Sequence, residues 1–295
     1  MLNKNKIKQF IFEKIYLLSA ILAALFLVVI ILFILSSAIP AFKEYGFIKM
    51  LFSFDWSPGA DPQQFGLASM ILSTIVTTII ALGIAVPVGI LCAVFLSKMA
   101  TSKLKASLLF IVELLASIPS VVFGFFILKT LVKVIYDSNM HVYGVSGNSM
   151  LAAIVVLALM TLPTIISVST TALDAVDKSY MEASLALGAN KIQSIFKVDI
   201  RAARNGIMAS VVLGAGKVIG ETMAVMLVSG NAINNPDNLL QPIRTLTANI
   251  ATEMAYASGT HQAALYATGI ILFIMIMILN YILLVVMKRG DANAK

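Results

Sequence analysis

Two ionisable residues stand where a chain rarely keeps them. Lys217 and Glu221 belong to the run Gly214-Ala215-Gly216-Lys217-Val218-Ile219-Gly220-Glu221-Thr222, inside an otherwise apolar stretch from Gly206 to Ser229. A charge at the centre of a membrane helix costs about 2.5–3.5 kcal/mol on insertion scales, so the pair needs a purpose. At i,i+4 spacing both would share one helical face, and Gly216 with Gly220 would let another helix approach. Two readings are open. The pair can neutralise itself and hold two subunits together, or the lysine can attract an anion in transit while the glutamate pairs with it when the path is empty. Glu113 is a further candidate, because Pro119 downstream removes a backbone donor and kinks its helix. A pathway role for Glu113 stands beside structural pairing or snorkelling near the inner face.

Other chemistry is sparse. Gly216-Lys217 is not a phosphate-binding P-loop, since position 211 is valine and residue 218 is neither serine nor threonine. His141 and His261 are lone histidines without metal-ligand spacing, read as solvated or interfacial, and Cys92 is read as a small buried residue. No catalytic triad or paired-carboxylate pattern occurs, so neither bond-making chemistry nor a cofactor bound by this chain is expected.

The elements that position these residues follow from composition. Of 295 residues, 60% are hydrophobic and 12% charged, with mean hydropathy +0.97. A soluble domain is about a quarter charged, so lipid is the solvent that suits this chain. Six stretches reach the roughly 20 apolar residues that cross a bilayer: Ile15 to Ile39, Leu67 to Leu96, Ser107 to Leu128, Met150 to Thr170, Gly206 to Ser229 and Ala263 to Met287. The second is long enough to tilt, bend near Pro87 or project beyond the lipid. The net charge of +7 flanks these segments instead of forming a patch, which argues against nucleic acid as a partner. Fifteen of the 21 lysines and arginines fall on the side of the termini and five on the other, while acidic residues split evenly. Both termini are therefore expected in the cytoplasm.

The expected class is all-α integral membrane with six transmembrane helices. Its parts are a cytoplasmic tail at 1–14, an anchor helix at 15–39, an outer segment at 40–66, a transmembrane domain at 67–287 and a cytoplasmic tail at 288–295. The outer segment, rich in Phe42, Phe47, Phe52, Phe54 and Trp56, can lie in the outer interface or pack on the bundle.

The cytoplasmic loop 171–205 is the unexpected feature. It is dense in charge, yet Tyr180, Met181, Leu185, Leu187, Ile192, Ile195 and Phe196 supply an apolar side. Helix formers run from Glu182 to Leu187, Gly188 interrupts, and a second helical stretch starts at Lys191. Glycine permits a positive φ at such a turn, and a helix–Gly–helix with an exposed apolar side suits docking of a partner protein.

Here a resemblance carries further. Glu182-Ala183-Ser184, three residues, then Gly188 resembles the coupling-loop motif of membrane subunits of ATP-binding-cassette importers, Glu-Ala-Ala, three residues, Gly, nine residues, Ile-x-Leu-Pro. Ser184 replaces the third residue and Arg201 stands where proline is expected. Gly216-Lys217-Val218-Ile219-Gly220-Glu221-Thr222-Met223-Ala224-Val225 resembles the phosphate-importer permease pattern Gly-Arg-Ala-x-Gly-Glu-Thr-Met-Ala-Val, and Glu113 to Gly124 resembles that family's Glu-Leu-Leu-Ala-x-Ile-Pro-Ser-Val-Val-x-Gly. Arg244 to Ala251 fits it too, and the extra first span with Ser229-Gly230-Asn231 favours the C-type subunit.

The resemblance implies a type I importer permease fold and alternating access. Its implied partners are a sister permease, a cytoplasmic ATPase dimer that binds the ATP and Mg, and an outer phosphate-binding protein. It implies coupling to the ATPase through Glu182, Ala183, Ser184 and Gly188, and translocation past Lys217, Glu221 and Thr222. Lys217 in place of arginine keeps the charge but loses the bidentate fork. A permease for molybdate or sulfate, an ion-coupled secondary transporter and a membrane scaffold are the rival readings.

Overall fold

Long apolar runs with few breakers become long helices, and the breakers that do occur mark where they end. The computed structural model describes residues 2–138 and 147–292, with side chains for 8–138 and 147–285. His141 lies outside the described residues.

Helix α1 (Leu2–Glu44) continues without interruption through the expected tail and anchor. At 43 residues it is about 64 Å long, roughly twice the hydrocarbon thickness. It packs on the last helix near its outer end, where Ala38 and Ala41 are buried. A short α2 (Phe47–Phe52) leads to an antiparallel hairpin of β1 (Trp56–Ser57) and β2 (Gln64–Phe65). Trp56 and Phe65 are buried while Phe52 is exposed, so the tryptophan end of this outer segment packs on the bundle and only part of it faces outward.

Helix α3 (Ala68–Val94) runs through Pro87 and finishes in a π turn, Phe95–Met99. Helix α4 (Ser102–Ser117) stops at Ile118-Pro119, and α5 (Ser120–Ile127) continues through a π turn (Leu128–Val132) into α6 (Lys133–Asp137). The two halves of this span meet at 91°, so Pro119 breaks the helix outright where the sequence suggests a kink. Helix α7 (Met150–Asp174) is the most buried span and packs on α3 and on α11 (Arg204–Gly220).

The cytoplasmic loop forms α8 (Lys178–Ala186) and α9 (Lys191–Ser194), then a π turn (Ile195–Asp199) and α10 (Ile200–Ala202). Without the proline expected at Arg201, the second helical stretch does not end there. It passes with one turn residue into α11. Beyond α11 lie α12 (Met223–Val228), α13 (Leu246–Glu253) and α14 (Gly259–Ala292).

Among the described residues four helices are long and apolar enough to cross a membrane, and α4 with the bent stretch α5–α6 makes a fifth if counted as one span. The stretch Gly206 to Ser229, expected as one continuous span, is instead two helices broken at Glu221-Thr222. Among the described residues three apolar clusters are buried: one among α3, α5, α7 and α12, one under the β1–β2 hairpin, and one where the C-terminal ends of α3 and α7 meet the start of α11. Cys92 is exposed on α3, contrary to the buried position expected of it.

Candidate functional site

The break in the fifth apolar stretch is where the candidate residues gather. Helix α11 ends at Gly220, and Glu221 is extended, with φ −70° and ψ 125°. A break at this depth frees backbone groups that lipid cannot satisfy. Three of these groups have side-chain partners nearby: the Ala224 amide, the Gly220 carbonyl and the Glu221 carbonyl. The Glu221 carboxylate accepts the Ala224 amide at 3.1 Å, capping the start of α12. The Thr222 hydroxyl donates to the Gly220 carbonyl at 3.3 Å, and the Thr247 hydroxyl donates to the Glu221 carbonyl at 3.0 Å.

This geometry corrects the expected pair. Lys217 and Glu221 are not joined, because the helix that would align them at i,i+4 ends between them. The Lys217 ammonium donates instead to the Met160 carbonyl of α7 at 2.8 Å, three residues before Pro163. A cation on a neutral carbonyl keeps its charge uncompensated, whereas a salt bridge would cancel it. Among the described residues no other element comes within 4 Å of a Cβ added at Gly216 or Gly220, so no described helix fills their notch.

Glu113 is exposed on α4, and no hydrogen bond or ion pair ties it to Lys217 or Glu221 among the described residues. Its helix does lead to the site. Helix α5, which follows the Pro119 break, packs on α12, which follows the Glu221 break. A Cβ on Gly124 would stand 2.9 Å from the Ala224 Cα. Two broken spans thus lean together on a glycine contact.

The residues expected to couple to an ATPase, Glu182, Ala183, Ser184 and Gly188, form a separate group in the loop between α7 and α11. Asp177 caps α8 by accepting the Ser179 amide at 2.9 Å. That backbone bond, with a second from the Ser179 hydroxyl, holds the Asp177 carboxyl below its usual range. Gly188 adopts φ +87°, and its amide bonds to Leu185 O while the Ala189 amide bonds to Ser184 O, closing a Schellman motif. Asn190 and Gln193 form a capping box that starts the next helix.

Ser184 lies 2.9 Å from Ser194 Oγ, which lies 3.1 Å from Asn190 O. The Ser194 hydroxyl is the donor in both contacts, sharing its proton between Ser184 Oγ and the Asn190 carbonyl, a cross-tie that alanine at position 184 could not accept. Glu182 and Ala183 are exposed, as are Tyr180, Leu185, Leu187, Ile192 and Phe196, with Leu187 at 89%. Met181 and Ile195 turn inward and pack under the hairpin.

Sequence reasoning missed two features. One is the buried ion pair of Lys98 with Asp199, 3.1 Å apart, which joins the π turn after α3 to the π turn after α9. Neither Asp199 oxygen has an aligned hydrogen bond, so the contact is an ion pair without directional bonds. The other is an outer cluster on Glu253. Its Oε2 accepts the Trp56 indole at 3.0 Å and lies 2.8 Å from His261 Nε2, while its Oε1 takes Arg244 at 2.5 Å. His261 is therefore packed in this cluster and not solvated. The i,i+8 spacing of Glu253 and His261 gives no sequence signal, because a turn intervenes.

Known proteins resemble this chain over most of its length. The family described as "Binding-protein-dependent transport system inner membrane component" matches residues 85–291. The "Probable ABC transporter permease protein YqgH" of Bacillus subtilis (strain 168) is 36% identical, covering 77% of this chain and 74% of that protein. A "Phosphate transport system permease protein PstC" of Mesorhizobium japonicum is 33% identical, covering 86% and 82%. Among solved structures, an inward-facing MetNI methionine ABC transporter superposes with TM-score 0.56 at 21% identity, over 76% of this chain and 94% of that one, a likeness of fold. The chain is a multi-pass membrane protein and belongs to the family of binding-protein-dependent transport system inner membrane components.

Proposed function

We propose that this chain is the C-type permease subunit of an ATP-driven importer of inorganic phosphate. The observation that carries an anion path is the Lys217 ammonium resting on a neutral carbonyl beside a break in its own helix. A positive charge without a carboxylate partner lowers the barrier for an oxyanion, and broken helices at this depth suit a hydrated path. Phosphate as the cargo is supported by the names of relatives about 30% identical over most of the chain. Lys217, Glu221 and Thr222 line the path in this reading, with Glu113 on the approach.

The wider organisation follows. Six spans place both termini in the cytoplasm, with the α11–α12 pair as the sixth crossing. The parts are the tail 1–14, the anchor 15–39, the outer segment 40–66, the transmembrane domain 67–287 and the tail 288–295. The loop 171–205 docks on a cytoplasmic ATPase through Glu182, Ala183, Ser184 and Gly188. A sister permease completes the path, ATP and Mg belong to the ATPase dimer, and an outer binding protein delivers phosphate. This chain itself is a transport subunit and performs no catalysis. Closure of the ATPase dimer pulls the coupling loops and opens the path outward, and hydrolysis resets it.

The test is uptake by proteoliposomes holding the chain with its sister permease and ATPase, supplied with binding protein and ATP. Labelled phosphate should accumulate in preference to sulfate and molybdate. Uptake of another oxyanion in preference would overturn the cargo, and transport by this chain alone would overturn the class.

A further inference from the structure

We propose that α13 is a strut that holds the break in the fifth apolar stretch from the outer side, and that Thr247 is a positioning residue for Glu221. The proposal rests on the anion-path reading. In a continuous helix the Glu221 carbonyl would accept the Val225 amide; at the break it is met by the Thr247 hydroxyl instead. Leaving such a carbonyl unpaired in a low-dielectric interior costs a full desolvation penalty. Thr247 therefore favours the broken conformation, in which the Glu221 carboxylate folds onto the Ala224 amide and stays off Lys217.

The tip of α13 is itself fixed. Thr247 Oγ1 lies 3.1 Å from Thr245 Oγ1, and since Thr247 spends its proton on Glu221, Thr245 is the donor between them. Thr245 also caps α13 by accepting the Ala248 amide, and the Leu246 amide donates to Thr74 of α3 at 3.1 Å. Both threonines of the tip are buried.

The other end of the strut is clasped by three separate segments. Glu253, the last residue of α13, is buried and bound by Trp56 of the outer hairpin, His261 of α14 and Arg244 of the preceding loop. Arg244 is held in turn by the Asn231 carbonyl at 2.8 Å and by Asn249 Oδ1 at 3.1 Å. Glu253 and Thr247 are six residues apart on α13, about 9 Å along the helix. A helix that short is stiff, so a displacement of the outer hairpin carries to Thr247 and the Glu221 carbonyl.

The measurement is phosphate moved per ATP hydrolysed by the reconstituted complex, a ratio that cancels the amount of active protein. Thr247→Val should lower it about tenfold, the scale of one buried hydrogen bond, and Thr247→Ser should keep it within about twofold of the parent. Glu253→Gln should lower it as well, and adding Thr247→Val should lower it no further, because both act through one contact. A parental ratio in Thr247→Val, a serine variant no better than valine, or losses that multiply would each overturn the proposal. If Glu253→Gln does not assemble, the valine and serine variants decide alone. Glu221→Gln separates the two levels of inference. A normal ratio there with a loss in Thr247→Val removes the carboxylate from the anion path and leaves the strut standing; the reverse pattern removes the strut alone.

Discussion

At the scale of single residues, the structure turns on which buried charges are compensated. Lys217 donates to the Met160 carbonyl and shares no salt bridge with Glu221, so that carboxylate does not cancel its charge. Lys217→Ala should reduce phosphate uptake by about tenfold or more, since a charge-assisted hydrogen bond is worth roughly 1.5–3 kcal/mol. Lys217→Arg should retain uptake, with a shifted half-saturation from its wider fork. Full uptake by the alanine variant would remove the lysine from the path. Asp199 is the opposite case, a carboxylate 1% exposed that is paired with Lys98. Lys98→Met should destabilise the protein by about 3–5 kcal/mol, and adding Asp199→Leu should recover much of that loss. Thermal unfolding in detergent reads both; a single variant no less stable than the double one would contradict this account.

At the scale of elements, the coupling hairpin is held by local devices that can be removed singly. Gly188 at φ +87° faces open space, so alanine there would meet no neighbour and suffer only backbone strain, about 1–2 kcal/mol. Gly188→Ala should lower the share of ATPase that stays with the complex through purification. An undiminished share would detach the turn from docking. The Asp177 cap adds a pH dependence. Its folded pKa is depressed by the Ser179 bonds, so its support of α8 is complete above the ordinary aspartate range and is lost as pH falls through the lowered value. Amide exchange at Ser179 and Tyr180 should quicken over that acid window, and Asp177→Ala should quicken it at neutral pH. Exchange that stays slow in the alanine variant would assign the start of α8 to other contacts.

At the scale of the whole molecule, three clusters of small and branched residues tie the spans together, while two spans are broken and lean on each other through Gly124 and Ala224. Breaks are tolerated because protein groups replace the lost helical bonds. The asymmetry of lysine and arginine is the ground for the proposed topology, with loop 171–205 on the side of the termini. In a Cys92→Ser background, a cysteine at Glu182 should react with an impermeant thiol reagent only from the cytoplasmic side, and one at Asp61 only from the outer side. Labelling of both from one side would overturn the six-span topology.

Much of this was legible without coordinates because lipid imposes simple rules. Runs of about 20 apolar residues, the flanking charge bias and the helix–Gly188–helix of the coupling hairpin rest on local sequence, and each acts through nearest neighbours or through the solvent. The identity of Lys217 and Glu221 as residues in need of a purpose was equally local. Their partners were not. Whether Lys217 meets a carboxylate or the Met160 carbonyl depends on where α11 stops and on which helix lies beside it. The Thr247–Glu221 bond and the Trp56–Glu253 bond join residues that are 26 and 197 apart in the chain. Hydrogen bonds act over about 3 Å, so only the folded arrangement decides which distant groups come within that reach.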